Sequence, residues 1–222
     1  MVGVIPAFNE AATLAATLAG LSQIPELTEI WVVDDGSTDG TARIARQWGA
    51  KVIRRPHNGG KAAALAHAFR TIAADIYLLL DADLGAQAKL LRTLLPPVLA
   101  GEADMTVAVF HRPFSARRHG GFGLVRRLAR LGIHWLTGVT VREPLSGQRA
   151  LTREVVRTLR PAYGYGIEVA LTVDALRAGL RTLEVDTPLV QEGTGRTLQG
   201  FLHRGRQFLH VALTLLGRLK GP

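Results

Sequence analysis

The chain has 222 residues, 47% hydrophobic and 20% charged, enough for one well-buried core and unlike the composition of a disordered segment. It has no cysteine, which excludes a disulfide framework, a thiolate metal site and a cysteine nucleophile. Its net charge of +9 is uneven: residues 1–104 hold 9 basic and 11 acidic side chains, residues 105–222 hold 18 and 7, so the second half expects an anionic partner.

The first hundred residues alternate in pattern. "VGVIP" is a β-branched run and "NEAATLAATLAGL" has helical spacing. "EIWVVD" reads as a strand, "GTARIARQWG" as a helix closed by Gly49, "KVIR" as a third strand and "GKAAALAHAFRTIA" as a third helix. "IYLLLD" is a fourth strand, "KLLRTLLPPVL" a helix and "MTVAVF" a fifth strand. Strands alternating with helices predict an α/β fold, a mostly parallel sheet covered on both faces. Farther on, "GFGLVRRLARLGIHWLTG" is helical. "PLSGQRALTREVVRTL" reads as a turn, a strand and a helix capped by Thr152. "IEVALTVDALRAG" is a helix and "RTLEVDTPL" a last strand. "LQGFLHRGRQFLHVALTLLGRLK" is an amphipathic helix too short in its apolar stretch to span a bilayer. No repeat or linker breaks the chain, so one domain is expected over 1–222. No signal peptide is visible in "MVGVIPAFNE", and with the missing cysteines the cytoplasm is the expectation.

In such sheets ligands lie beyond the carboxyl ends of the strands. The polar clusters fall there: "PAFNE", "DDGSTD", "HNGGK" and "DADLG". Asp81 and Asp83 flank Ala82 at the end of an apolar run. Two carboxylates so close repel unless a cation lies between them, and hard oxygen ligands suit Mg²⁺ or Mn²⁺. The plain alternative is that they cap the next helix. "HNGGK" offers backbone N–H groups at a helix start, through Gly60, and the point charge of Lys61, a setting for phosphate. It is no Walker loop, since Arg55 and Ala62 stand where that motif needs Gly and Ser/Thr. No G-x-G-x-x-G follows the first strand, so ATPase and dinucleotide redox readings lose support. Asp34 and Asp35 could accept from a base or ribose, while Ser37 or Asp39 caps the following helix.

Together "VIPAFNEAATL", "VVDDGSTDGT", "HNGGKAAAL" and "LLLDADL" resemble the nucleotide-sugar-binding half of family 2 glycosyltransferases, over about the first 85 residues. The resemblance implies the GT-A fold and a nucleotide-sugar half at 1–104. It places Pro6, Ala7, Phe8 and Glu10 in the nucleotide pocket, Asp35 on the base, Lys61 near the pyrophosphate, and Asp81 and Asp83 on a metal that holds it. "HRPFSARRHGGFGLVRRLARLGIHWLTGVTVREPLSGQRALTRE" is similar to polyprenyl-phosphate mannose and glucose synthases, which implies that Arg112, Arg126 and Arg127 receive an acceptor phosphate. "GYGIEVALTVDALRAGL" and "GFLHRGRQF" lean toward glucosyl-3-phosphoglycerate synthases. Where those enzymes complete the metal shell with His, the nearest position here is Gln191 or Glu192. Where polyprenyl-phosphate enzymes often have Gln, this chain has Gly85.

The expected reaction is metal-dependent sugar transfer from a nucleoside diphosphate sugar to a phosphate-bearing acceptor. Polyprenyl phosphate is the first expectation and a soluble phosphorylated acceptor the second. Asp83, Glu168 and Arg126 are the candidate catalytic groups. Glu168 would be the base if a hydroxyl attacks, and the alternative is a dipole-favoured Glu at a helix start. Ser146 and Gln148 could meet acceptor or donor hydroxyls, unless the turn alone explains them. The last helix either packs on the sheet or a partner subunit, giving a homodimer, or lies peripherally on the inner face of an anionic membrane. A non-catalytic nucleotide-sugar binder and a nucleic-acid binder are the rival classes. Aromatics at 6% and the lack of any nucleic-acid module pattern argue against nucleic acid.

Overall fold

A computed structural model describes residues 1–111, 122–190 and 198–219. Seven strands form one sheet in the order β3-β2-β1-β4-β6-β5-β7. They are β1 (Val2–Ala7), β2 (Glu29–Asp34), β3 (Lys51–Arg54), β4 (Ile76–Leu79), β5 (Met105–His111), β6 (Arg149–Thr152) and β7 (Thr182–Val190). The helices are α1 (Leu14–Leu21), α2 (Thr41–Gln47), α3 (Lys61–Thr71), α4 (Leu95–Leu99), α5 (Phe122–Thr137), α6 (Arg153–Thr158), α7 (Ile167–Arg177) and α8 (Leu198–Leu216). This seven-stranded, mostly parallel sheet is the GT-A architecture.

β1 pairs parallel with β2 along its whole length, from Val2 opposite Glu29 to Ala7 opposite Asp34. With β4 it pairs only from Val2 to Val4. Pro6, which has no N–H, faces the β4 side just past the last bond between them, Leu80 N to Val4 O at 3.3 Å, so its missing donor leaves no gap in the ladder. From β1 the chain builds outward through β2 and β3 on one side, then returns to place β4 on the other. The two strands part at this switch, where open α/β sheets form their ligand crevice.

β6 alone runs antiparallel, against both β4 and β5. Arg149, its first residue, pairs with Leu79 and Val107. The turn before β6 therefore enters the sheet at the same edge where β4 leaves it, which sets residues 146–148 beside Asp81.

The strands read as unbroken apolar runs because both faces are buried. One face packs Ile5, Leu78 and Leu80 on Leu14, Leu18, Leu91 and Leu94; the other packs Val2, Val4 and Leu79 on Leu65, Ile167 and Leu171. Each such leucine contributes about 1.5–3 kcal/mol by leaving water. Outside α7 a further layer brings Val125, Ala129 and Ile133 of α5 together with Val169, Val173, Val211 and Leu215. Covered by the sheet on one side and α5 and α8 on the other, α7 is buried from Ile167 to Ala175.

Two local expectations change. "KLLRTLLPPVL" is not one helix: a 3₁₀ stretch, Gly85–Leu94, leads into the short α4. Pro96 and Pro97 sit in the first turn of α4, where proline is tolerated, but neither can donate to extend a preceding helix. Thr152 does stand at the N-cap of α6, yet its hydroxyl makes no cap bond and finds no partner among the described residues.

The end of α8 is fastened by a buried ion pair. Arg218 donates to both oxygens of Asp174 on α7, at 2.8 and 2.6 Å, and to the carbonyls of Pro161, Thr214 and Arg160. Removing one partner of such a pair strands the other charge. Asp174→Ala should destabilise the fold by about 3–5 kcal/mol in urea or guanidinium unfolding, far beyond a surface charge deletion.

Candidate active site

Three loops close one side of the crevice through bonds set by their side chains. Asn9, at φ 57°, turns the chain out of β1. Its side-chain oxygen accepts from Thr38 N, and its own N–H bonds the Ser37 hydroxyl at 3.0 Å. Glu10 N donates to Thr41 Oγ1 and Ala11 N to Asp39 Oδ2. The N-cap of α2 is Gly40, with no side-chain cap, so neither Ser37 nor Asp39 is the cap residue; Asp39, one residue before it, accepts from Thr41 N at 2.9 Å. Asp34 is turned inward, accepting from Ser37 N and lying 3.4 Å from Arg54. Phe8 is exposed at the rim, while Ala7 is buried.

Asp35 reaches the "HNGGK" loop. It pairs with Arg55 and accepts from Gly59 N and, at 2.7 Å, from Gly60 N. Gly60 has φ 82° and ψ 168°, a conformation open in practice to glycine alone, and it is the N-cap of α3. This geometry starts the helix at Lys61 and turns the lysine inward. Asp35 is thus already paired with Arg55, which the sequence did not single out for the site.

At the centre the Lys61 ammonium is held between two carboxylates, Asp81 Oδ1 at 2.5 Å and Glu168 Oε1 at 2.8 Å. Burial opposes its charge, but Asp81 and Glu168 more than offset this and hold the ammonium above its ordinary range. Burial likewise works against the Asp81 carboxylate, and Lys61 with Gln148 overrides it, keeping Asp81 ionised below the usual carboxylate range. Gln148 donates to Asp81 Oδ2 at 2.8 Å. Ser146, buried, faces Gln148 rather than open space.

Asp83 is different. The residue is exposed on the turn after Asp81, but its carboxyl is partly withdrawn from water, and that withdrawal, then the negative charge of Asp81, raises it above the usual range. Burial, then the charges of Asp83, Asp81 and Asp39, also raise Glu10, against the pull of the Thr13 hydroxyl at 2.6 Å. The capping alternative for the aspartate pair fails, because the 3₁₀ stretch that follows has no side-chain cap. Thr17 of α1 does that work: its hydroxyl donates to Ala82 O at 2.7 Å and accepts from Gly85 N at 2.9 Å, pinning the turn.

These residues fit a hard divalent cation. Lys61 already occupies one oxygen of Asp81 as a positive charge, and the Asp83 carboxylate makes no ion pair among the described residues. Among the described residues no third His, Cys, Asp or Glu joins them to form a metal-holding group. Mg²⁺ keeps several waters and needs only one or two carboxylates besides substrate phosphates. Gln191 and Glu192, the expected third position, lie outside the described residues, as does Arg112. Arg126 is half-buried, 3.7 Å from the buried Glu143, while Arg127 is exposed.

Gly147 is a point of close approach at the site that the sequence marked only as part of a turn. A Cβ there would overlap the Lys61 ammonium and stand 3.0 and 3.1 Å from the Asp81 oxygens.

The comparisons with known proteins bear on the family and the fold. Residues 4–160 match the model of the family described as glycosyl transferase family 2. Glucosyl-3-phosphoglycerate synthase of Mycobacterium tuberculosis is 31% identical over 240 residues, covering 99% of this chain and 73% of the relative. Glycosyltransferase AglJ of Haloferax volcanii is 31% identical over 186 residues, 82% of this chain and 60% of the relative. The crystal structure of the M. tuberculosis synthase with Mn²⁺, UDP-glucose and phosphoglyceric acid superposes with a TM-score of 0.80 at 29% identity, over 100% of this chain and 80% of that one. The same enzyme with Mg²⁺ and UDP gives 0.80 at 28%, over 100% and 79%. Fold and motifs thus define a glycosyltransferase. The chain belongs to glycosyl transferase family 2.

Gly147→Ala should leave the unfolding midpoint within a few degrees while lowering sugar-transfer turnover by about tenfold or more, because the added methyl displaces Lys61. Turnover at the unsubstituted rate would show that the position of Lys61 is not critical.

Proposed function

We propose that this enzyme transfers a hexosyl group from a nucleoside diphosphate sugar, UDP-glucose by its relatives, to a small phosphorylated hydroxy acid of the phosphoglycerate class, with Mg²⁺ or Mn²⁺. The observation that carries this reading is the similarity along 99% of the chain to glucosyl-3-phosphoglycerate synthases, with the motif residues gathered at one sheet edge. It moves the acceptor from polyprenyl phosphate, the first expectation from sequence, to the soluble alternative.

In this reading Asp81 and Asp83 hold the metal, which supplies Lewis-acid stabilisation of the diphosphate. Lys61 adds a fixed positive charge where the leaving group gains negative charge, and Gln148 keeps Asp81 oriented. Pro6, Ala7, Phe8 and Glu10 line the nucleotide side; Asp35 with Arg55 meets the base. Arg126 and Arg127 take the acceptor phosphate, positioned by Glu143 under Arg126. The attacking group is then a hydroxyl, and a carboxylate is needed to accept its proton as the new C–O bond forms and the diphosphate departs. Glu168, in the first turn of α7 and paired with Lys61, is the carboxylate at hand.

With UDP-glucose, 3-phosphoglycerate and Mn²⁺, product should form, and excess chelator or Asp83→Ala should lower turnover by about 10²-fold or more without unfolding the protein. Full activity in either case would end the metal reading. Replacing Arg126 and Arg127 together by Ala should raise the acceptor KM and leave the donor KM unchanged.

One observation favours a second reading, an acceptor met at a membrane surface. α5 and α8 lie side by side, and among the described residues nine large apolar side chains stand exposed on or just beyond them: Leu124, Leu131, Trp135 (73% exposed) and Val139, then Phe208, Leu209, Leu213, Leu216 and Leu219. Both helices lack acidic residues, and Arg127 and Arg206 are exposed among these side chains. Two copies facing each other here would oppose like charges, whereas an anionic bilayer complements them. Among the described residues no helix is long and apolar enough to cross a membrane. Sedimentation with phosphatidylglycerol vesicles, lost with phosphatidylcholine and in Leu213→Glu, supports the surface reading. A stable dimer that Leu213→Glu dissociates would replace it with self-association.

A further inference from the structure

Beneath the site lies a side chain that the proposed chemistry does not use. Arg149 is 0% exposed, one of the largest fully buried side chains described. No carboxylate lies within ion-pairing distance of it among the described residues, and its Nη2 has no hydrogen-bond partner there. Burial pushes the guanidinium down to about 10, a fall that the more distant Glu168 and Glu184 do not prevent. A buried charge without a partner is among the most costly features a core can hold, and apolar replacements of similar volume often leave stability unchanged or raised. The group must therefore be explained by what it holds.

It holds two things. Nε donates to Ser146 O at 2.8 Å, and Nη1 donates to Thr172 Oγ1 at 2.9 Å, with Met105 Sδ at 3.6 Å beyond. Ser146 begins the Ser146–Gly147–Gln148 turn. Gly147 lies against the Lys61 ammonium, and Gln148 donates to Asp81 at 2.8 Å. The Thr172 hydroxyl donates in turn to Glu168 O at 3.0 Å, one turn back along α7, and the Glu168 carboxylate pairs with Lys61. Both walls around the lysine are thus fixed to one guanidinium, whose planar fork presents donors in two directions from a rigid frame.

We propose that Arg149 is a positioning residue for Lys61: by tying the 146–148 turn to α7 it sets the gap between Asp81 and Glu168 in which the ammonium is held. The inference rests on the reading of Lys61 as the charge that meets the leaving diphosphate. Methionine fills the same space without donors. Arg149→Met should keep or raise the unfolding midpoint while kcat for UDP-glucose and 3-phosphoglycerate falls by about tenfold or more, with the donor KM little changed. Arg149→Lys, which can reach one acceptor but not both, should recover part of kcat.

A structural role alone would give the opposite split. Arg149→Met with unchanged kcat overturns the proposal. So does a kcat loss that tracks a lower unfolding midpoint and vanishes when the assay is cooled. Lys61→Met, measured alongside, separates the two claims. If it abolishes turnover while Arg149→Met does not, only the positioning role fails. If Lys61→Met is as active as the parent, the reading of the site itself fails.

Discussion

The site is organised by one ammonium group shared between two carboxylates that come from distant parts of the chain. Lys61 opens α3, Asp81 lies two residues past the end of β4 and Glu168 stands in the first turn of α7, and each is half or fully withdrawn from water. In a setting of low polarity, any one of these charges alone would be costly. Held as a triplet, two of the groups stay charged beyond their ordinary ranges, Lys61 upward and Asp81 downward. The sheet brings these groups within reach, and the ion pairs then fix how closely the strand-end loops approach.

The same triplet leaves a deliberate imbalance on its outer side. Asp81 spends one oxygen on Lys61 and the other on Gln148, so Asp83 and Glu10 are left to face the crevice with too little positive charge nearby. Burial is the first cause of their raised carboxyls, and the unmet negative charge around them adds to it. A divalent ion carrying a diphosphate would relieve it, which makes substrate entry and charge neutralisation the same event.

Much of this was legible in the residues. The alternating β-branched and helical runs gave the parallel sheet, and the strand-end clusters gave the edge at which Asp81, Lys61 and Glu10 meet. The hidden part consists of contacts across long sequence separations. Nothing in "PLSGQR" announces that its glycine must clear a lysine some 86 positions earlier, or that its arginine is buried rather than solvated, since arginine is rarely fully buried. Arg55 and Thr17 were missed for a similar reason: each supports a loop whose own motif drew the attention. The sequence pattern also could not decide the orientation of β6. Four residues, "RALT", carry no directional signal, and the reversal comes from how the chain returns after α5.

The reversed strand has a consequence for how the protein comes into being. Residues 1–104 emerge from the ribosome with all four nucleotide-side motifs in place, yet Asp81 then lacks Gln148 and Lys61 lacks Glu168. Without β6, which lies between β4 and β5 in the finished sheet, the β4 edge of that half would have no neighbour. Activity in this chain is thus a late event of synthesis, and a fragment ending before residue 149 would carry the family's signature without its charge balance.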